Sequence, residues 1–232
     1  MSRKYMYLAL FAAAVALTSV RAESSSSTGG KSVTFVFVGG YILPVGPFAD
    51  PLYGVPSQQI QSVQAELQAA FPGYNVSIAI YSYDGNNLST GSTLMQDVRS
   101  NPNLLNFSAC FSAGCGELQQ VADSLENVVD EPIQELIAID PYNLPTLSRP
   151  IPLPLQMTLD VSTDIRLIIS KNPALLPSTP APPQAAFFPN SGTVFSVSSV
   201  PGNHDNVLRE AVASGVATQQ FAQIVLSTGA PK

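Results

Sequence analysis

The sequence predicts an α/β fold in which a mostly parallel sheet of about six strands carries helices on both faces. Two observations support this class. Short runs of β-branched and aromatic residues alternate along the chain with helical patterns or long crossovers. Glycine or polar residues follow several of these runs, and ligands of open α/β sheets bind beyond the carboxyl ends of the strands.

The predicted elements follow one another in chain order, and stop signals mark several of their ends. Gly39-Gly40 ends the first strand, and Pro72-Gly73 ends the first helix. The last helix is expected to be one continuous segment. We predict strands within residues 31–41, 75–83, 104–111, 134–140, 164–170 and 193–200, and helices at about 57–71, 91–100, 114–125 and 206–227.

The first 22 residues have the pattern of a signal peptide. Arg3 and Lys4 precede a run of about a dozen mostly apolar residues, and Val20-Arg21-Ala22 supplies a cleavage point. A membrane anchor is the alternative, but this run is shorter than the roughly 20 residues that a bilayer span needs. We therefore predict a secreted protein with a disordered Ser/Gly-rich tail at 23–30, one domain at 31–232 and no membrane span after cleavage.

The charge of the mature chain limits its partners. Without the three basic residues of the signal peptide, 7 basic residues face 16 acidic ones, a net charge of about −9. This balance argues against nucleic acid or an anionic membrane as a partner. Asn75-Val-Ser and Asn87-Leu-Ser are glycosylation sequons and predict a glycoprotein if the secretory pathway is eukaryotic. The oligomeric state does not follow from the sequence.

The stretch Cys110-Phe-Ser-Ala-Gly114 joins a predicted strand to a predicted helix. Strand, tight turn with Ser112 at its apex, then helix is the layout of a nucleophile elbow, usually spelled Gly-x-Ser-x-Gly. Cys110 stands at the first glycine position, and Gly114 occupies the second. The amide of Ala113 is expected to be one donor of an oxyanion hole, and the turn at Gly40 or Tyr41 is expected to supply the other.

The candidate catalytic residues occur in the order Ser112, Asp140, His204, which is the order of a triad in an α/β sheet of this kind. A serine nucleophile needs a base, and His204 is the only histidine of the chain. Asp140 follows the strand next to the elbow and is the predicted acid. Three other aspartates are considered as the acid. Asp164 lies at the wrong end of its strand, and Asp160 is a weaker candidate. The side chain of Asp205 would have to fold back to reach the adjacent His204.

The two cysteines and the single histidine bear on other kinds of site. Cys110 and Cys115 are the only cysteines; they either form a disulfide across the elbow or pack as two small buried residues. The sequence leaves both open. Gly202-Asn-His-Asp205 matches a metal motif of calcineurin-like phosphoesterases, but a two-metal site needs further histidines. We predict no metal and no other cofactor.

Three segments resemble the thioesterase domains that end peptide and polyketide synthetases. Residues 110–142 contain Ser-Ala-Gly, a helix, and a strand followed by Asp-Pro-Tyr; residues 200–208 are similar to the segment with the histidine of that family, and residues 33–41 to its first glycine turn. The resemblance implies an α/β-hydrolase fold with Ser112 as nucleophile, Asp140 as acid and His204 as base.

The resulting prediction is a secreted serine hydrolase acting on a small-molecule ester or thioester of an apolar acyl group. The apolar, proline-rich segment from Leu144 to Leu155 is a candidate wall of the acyl pocket. The alternative is a catalytically inactive domain used for binding, which the departure at Cys110 and the absence of a carboxylate after the fifth strand motivate. Acyl transfer to an alcohol or amine is a third possibility.

Overall fold

The computed structural model describes nine ranges of the chain: residues 30–40, 56–81, 93–125, 128–129, 132–143, 153–154, 163–172, 195–204 and 206–229. The predicted signal peptide, most of the Ser/Gly-rich tail, Tyr41, Asn87, Asp160 and Asp205 lie outside these ranges. Most of the proline-rich segments at 144–162 and 173–190 also lie outside them.

Six strands form one parallel sheet, in the order β2-β1-β3-β4-β7-β8. Two further strands of two residues each, β5 and β6, pair antiparallel. The strands are β1 (Lys31–Val38), β2 (Tyr74–Tyr81), β3 (Phe107–Phe111), β4 (Glu135–Ile139), β5 (Tyr142–Asn143), β6 (Leu153–Pro154), β7 (Asp164–Asn172) and β8 (Phe195–Asn203).

Helices cover both faces of this sheet. They are α1 (Pro56–Ala70), α2 (Thr93–Ser100), α3 (Gly114–Asp123), α4 (Val207–Ala213) and α5 (Val216–Gly229). Apolar side chains of α1, α4 and α5 pack on one face, and those of α2 and α3 pack on the other. The predicted α/β fold, a parallel sheet of six strands with helices on both faces, is confirmed. None of the helices within the described ranges combines the length and apolarity that crossing a membrane requires.

The alternation of side chains along β1 shows why a nearly continuous apolar run forms a central strand. Phe35 and Phe37 face the cluster formed with α1 and α5, whereas Val36 and Val38 face the cluster formed with α2 and α3. All four are fully buried, as expected for a parallel sheet covered on both sides. The strands are thereby fixed in register, and their carboxyl ends meet along one edge of the sheet.

Several predicted elements have different bounds in the structure, among them the following three. The strand predicted from Leu104 begins only at Phe107, because Pro102–Asn106 forms a 3₁₀ helix with its proline in the first turn. The last strand extends beyond Val200 to Asn203. The final helix, predicted as continuous, is divided into α4 and α5 because Gly215 adopts a left-handed conformation with φ of 78°.

Within the described ranges β2 is the outermost strand on its side of the sheet, and side chains of α1 bond to its backbone. The amides of Val76 and Ile78 donate to the Oε1 atoms of Gln68 and Gln64, each at 3.0 Å. Gln68 also donates from Nε2 to the carbonyl oxygen of Tyr74 at 2.7 Å. These bonds occupy backbone groups that would otherwise be open for pairing with another strand.

Replacing both Gln64 and Gln68 by alanine is expected to lower the free energy of unfolding by about 1–3 kcal/mol, since each loss leaves a part-buried amide without its partner. The variant should also aggregate at lower protein concentration than the native chain. Urea unfolding and light scattering measure the two effects. Gln61→Ala, an exposed position of the same helix, is the control, and equal stability of the two variants would contradict the prediction.

Candidate active site

Ser112 follows β3 directly and adopts a left-handed backbone conformation with φ of 54°. Its amide donates to the carbonyl oxygen of Ile139 at 3.0 Å, and its own carbonyl accepts from the amide of Cys115 at 3.1 Å. A non-glycine residue in this region costs about 1–3 kcal/mol and persists only where its surroundings enforce it. The chain therefore turns sharply at Ser112, as predicted for a nucleophile elbow.

Two glycines leave room for this turn. A Cβ atom on Gly114 would lie 2.2 Å from the carbonyl oxygen of Gly39 and 2.5 Å from that of Val38, so the start of α3 packs directly against the end of β1. A Cβ atom on Gly40 would lie 2.9 Å from Cβ of Ser112. The backbone of the turn after β1 therefore lies beside the serine, where only glycine fits.

His204 follows β8 directly and is buried, with 5% of its surface exposed. Its Nε2 atom lies 2.8 Å from Oγ of Ser112. The turn that carries it is closed by Asn206, whose Oδ1 atom accepts the amide of Asn203 at 2.9 Å. Gly202 has φ of 102°, and a Cβ atom there would lie 2.1 Å from this same oxygen, so the turn needs glycine.

Asp140 follows β4 directly and is also left-handed, with φ of 37°. One carboxylate oxygen, Oδ2, lies 3.4 Å from Nδ1 of His204. The other, Oδ1, accepts the amide of Ser170 at 2.8 Å. The carboxylate is 4% exposed, so these two partners hold it in one orientation out of water.

The arrangement fixes the histidine tautomer. An ionised carboxylate only accepts hydrogen bonds, so Nδ1 of His204 carries the proton that points to Asp140. Nε2 is then left with its lone pair toward the hydroxyl of Ser112. A serine hydroxyl that donates to a neutral imidazole, itself oriented by a carboxylate, is the arrangement that generates a nucleophile near neutral pH.

The other carboxylates considered from the sequence do not replace Asp140. Asp164 begins β7 and pairs with Glu135, the first residue of β4, so it lies at the opposite end of the strands from the serine. Asp160 and Asp205 lie outside the described residues. In the parallel sheet β7 lies next to β4, and at this point it contributes the amide of Ser170 and not a carboxylate.

Of the residues predicted to form the oxyanion hole, Ala113 and Gly40 lie within the described ranges. Ala113, the residue after the serine, lies at the N-terminal end of α3, where amides and the helix dipole favour negative charge. The amide of Gly39 already donates to the carbonyl oxygen of Tyr81 at 2.8 Å, so it is not available. The predicted second donor therefore remains at Gly40 or Tyr41, of which Tyr41 lies outside the described residues.

Tyr81, beside this turn, is held in its neutral form. Burial, together with the hydrogen bond from its hydroxyl to Oδ2 of Asp97 at 2.7 Å and the charge of that carboxylate, raises the pKa of Tyr81 to about 12. Deprotonation of the phenol near neutral pH is therefore unfavourable. The pair links the end of β2 to α2 next to the turn after β1, and it does not provide a second base.

Phe111 is a residue of the site that the sequence analysis did not single out. Its ring stacks on the imidazole of His204, with centroids 5.3 Å apart and an angle of 25° between the planes. The face of an aromatic ring attracts a cation. The stack therefore limits rotation of the imidazole and is favourable to a positive charge on that ring. An aromatic residue directly before the elbow serine was the only signal available in the sequence.

Phe111→Leu is expected to lower kcat about 3–10-fold, which corresponds to loss of an aromatic contact of about 0.5–1.5 kcal/mol. Steady-state hydrolysis of an activated ester measures this effect. Phe71→Leu is the matched control, because Phe71 and Phe111 are equally buried at 8% exposure and Phe71 contacts Tyr74 instead of the site. If the control loses as much activity at equal folded fraction, the stack has no special role.

Cys110 and Cys115 form a disulfide, with Cα atoms 4.9 Å apart. Of the two alternatives left open by the sequence, the structure contains the bonded form. The bond joins β3 to the first turn of α3 behind Ser112. Within the described ranges no group of three or more His, Cys, Asp and Glu side chains has the arrangement of a metal site.

Comparisons with known proteins concern the fold. No protein-family model matches the sequence, and no curated protein matches it. Solved structures that are similar to this chain include the following two domains. The esterase domain of a Rhodothermus marinus protein matches with 8% identity over 83% of this chain and 85% of that chain, at a TM-score of 0.43. The thioesterase domain SrfTE, which cyclizes the lipopeptide antibiotic surfactin, matches with 14% identity over 87% of this chain and 92% of that chain, at a TM-score of 0.44.

Proposed function

We propose that this protein is a secreted serine hydrolase that cleaves an ester or thioester of an apolar acyl group. The observation that carries the proposal is the chain of contacts from Oγ of Ser112, which is part-buried, through His204 to the buried Oδ2 of Asp140. Both ends of this chain are residues in the left-handed backbone region. Strained backbone at two neighbouring strand ends is typical of functional sites.

The reaction follows from the contacts. Oγ of Ser112 attacks the carbonyl carbon while its proton passes to Nε2 of His204, and Asp140 stabilises the resulting imidazolium. The amide of Ala113 and that of Gly40 or Tyr41 bind the oxyanion of the tetrahedral intermediate. The imidazolium then protonates the leaving alcohol or thiol. Water, deprotonated by His204, releases the acid from the acyl-enzyme.

The alternative, an inactive domain used for binding, does not require a catalytic arrangement of these residues. A domain used only for binding has no need to keep Asp140 directed at His204 or to hold Ser112 in an unfavourable conformation. The 3.4 Å separation of Oδ2 and Nδ1 and the 2.8 Å contact of Nε2 with the serine therefore favour the hydrolase. They do not select between hydrolysis and acyl transfer.

The remaining parts of the proposal have separate support. The disulfide favours an oxidising compartment and, with the signal-peptide pattern, secretion. The apolar acyl group is inferred from the sequence of Leu144 to Leu155, of which Leu153–Pro154 alone falls in the described ranges. The choice between ester and thioester depends on substrate assays.

Labelling with a fluorophosphonate probe tests the proposal. The purified mature protein is expected to be labelled, and Ser112→Ala and His204→Ala are each expected to abolish labelling. Ser124→Ala, at the far end of α3, controls for non-specific reaction with serines. Failure of a folded native protein to react with this probe, and to hydrolyse p-nitrophenyl acetate, would contradict the proposal and favour the binding domain. Acyl thioesters with added alcohol or amine then separate hydrolysis from transfer.

A further inference from the structure

We propose that the Cys110–Cys115 disulfide positions the nucleophile, so that full activity requires the oxidised protein. This inference rests on the proposed function. Cys110 is the fourth residue of β3 and Cys115 the second residue of α3. Only four residues, 111–114, lie between the bonded cysteines, and Ser112 is one of them. The bond therefore closes a loop around the serine itself.

The two faces of the elbow are held by different contacts. Phe111 points to the face where its ring meets His204. Cys110 and Cys115 point to the opposite face, where they pack in the apolar cluster that includes Leu118 and Val121. The disulfide is thus the covalent support on the side of the serine away from the histidine. Both cysteines are fully buried.

The bond excludes the conformations into which the turn would relax. A left-handed serine is disfavoured relative to an extended or right-handed one. Five residue steps of extended chain span up to roughly 17 Å, whereas the Cα atoms of Cys110 and Cys115 are 4.9 Å apart. A disulfide keeps this separation within about 7 Å. Opening of the elbow is therefore prevented as long as the bond is intact.

The bond has a particular role at this position because Cys110 occupies a site where the Gly-x-Ser-x-Gly spelling has glycine. Gly114 still allows close contact of α3 with Gly39, and two backbone hydrogen bonds hold Ser112. These contacts also hold the turn closed, so the disulfide is one of several supports. From the loop-closure entropy of roughly six residues, the disulfide is expected to raise the population of the closed turn by at most about 40-fold.

Reduction removes this support in a defined reaction. A dithiol transfers two electrons and two protons to the Cys110–Cys115 bond, which breaks to give two thiols, and the reagent is oxidised to its own disulfide. Because both cysteines are buried, the thiolate reaches the sulfur atoms only when the side chains packed around them separate locally. Reduction is therefore expected to be slow, and the loss of activity should follow it in time.

The test compares Cys110→Ala/Cys115→Ala with the native chain at a temperature at which both are folded. We expect the labelling rate with a fluorophosphonate and the kcat for p-nitrophenyl acetate to fall about 10-fold, with KM little changed. Dithiothreitol should lower kcat of the native protein to the same extent, and reoxidation should restore it. The double variant should not respond to dithiothreitol. Phe71→Leu, a destabilised chain with an intact elbow, should keep the native kcat.

Hydrogen exchange provides a measurement that does not depend on activity. Removal of the disulfide should speed exchange of the Ser112 amide about 10-fold and leave the Asp140 amide, which donates to Ile168, unchanged. Native labelling and exchange rates in the double variant would overturn the inference while leaving the hydrolase intact. A native protein that is never labelled would instead overturn the proposed function. In that case, equal exchange rates of the Ser112 amide in the native chain and in the double variant would also exclude the positioning role.

Discussion

Replacing Ser112 by alanine is expected to lower kcat by about 10⁴–10⁶-fold, and adding His204→Ala to this variant is expected to lower it no further. The reason is that Oγ of Ser112 and Nε2 of His204, 2.8 Å apart, act in a single proton transfer. Once the nucleophile is absent, the base has no proton to accept. Hydrolysis of a p-nitrophenyl ester by the two single variants and the double variant measures this coupling.

The controls for this experiment separate the site from the fold. Ser124→Ala should retain native kcat, and circular dichroism should show equal folding of all variants. The residual rate of Ser112→Ala should remain above that of the buffer, because the amides of the oxyanion hole are unchanged. A double variant whose loss equals the product of the two single losses would mean that serine and histidine act independently.

Asp140→Asn is expected to lower kcat about 10⁴-fold with little change in KM. The asparagine oxygen can still accept the amide of Ser170, which donates to Oδ1 at 2.8 Å in the native chain. Its amide group, however, donates to Nδ1 of His204 and so leaves the proton of the imidazole on Nε2. The tautomer is then wrong for accepting the serine proton, although the fold is kept.

A second substitution at the same position distinguishes orientation from stability. Asp140→Ala leaves the buried amide of Ser170 without a partner, so it should cost about 1–3 kcal/mol of unfolding free energy more than Asp140→Asn. Thermal unfolding measures this difference. Asp164→Asn, at the opposite end of the sheet, should leave kcat unchanged. Activity of Asp140→Asn within 10-fold of native would exclude this carboxylate as the acid.

The sequence predicts the sheet well because its signals are local. The apolar run of β1 and the small residues around Ser112 each determine their own backbone, and the glycines at 40 and 114 mark close approaches that the structure contains. The position of His204 after the last strand follows from the same reasoning, although β8 extends three residues beyond the predicted end.

Other features depend on contacts that no local pattern encodes. Leu104 and Leu105 are compatible with either a strand or a buried helical turn, and Pro102 decides for the 3₁₀ helix. Whether the two cysteines bond depends on how closely the elbow turns. The support of Asp140 by Ser170 uses a backbone amide, which any residue except proline would supply, so the sequence carries no sign of it.

The hydrogen-bond ladder of the sheet continues past the strand ends into the site. The amide of Ser112 donates to β4 at Ile139, and that of Asp140 donates to β7 at Ile168. Ser112 and Asp140, the proposed nucleophile and acid, are therefore both hydrogen-bonded to interior strands, and we expect their separation to change little during turnover. His204 lies instead on a turn after the edge strand β8. The small displacement that carries a proton from the serine to the leaving group is thus expected to be a movement of the imidazole alone.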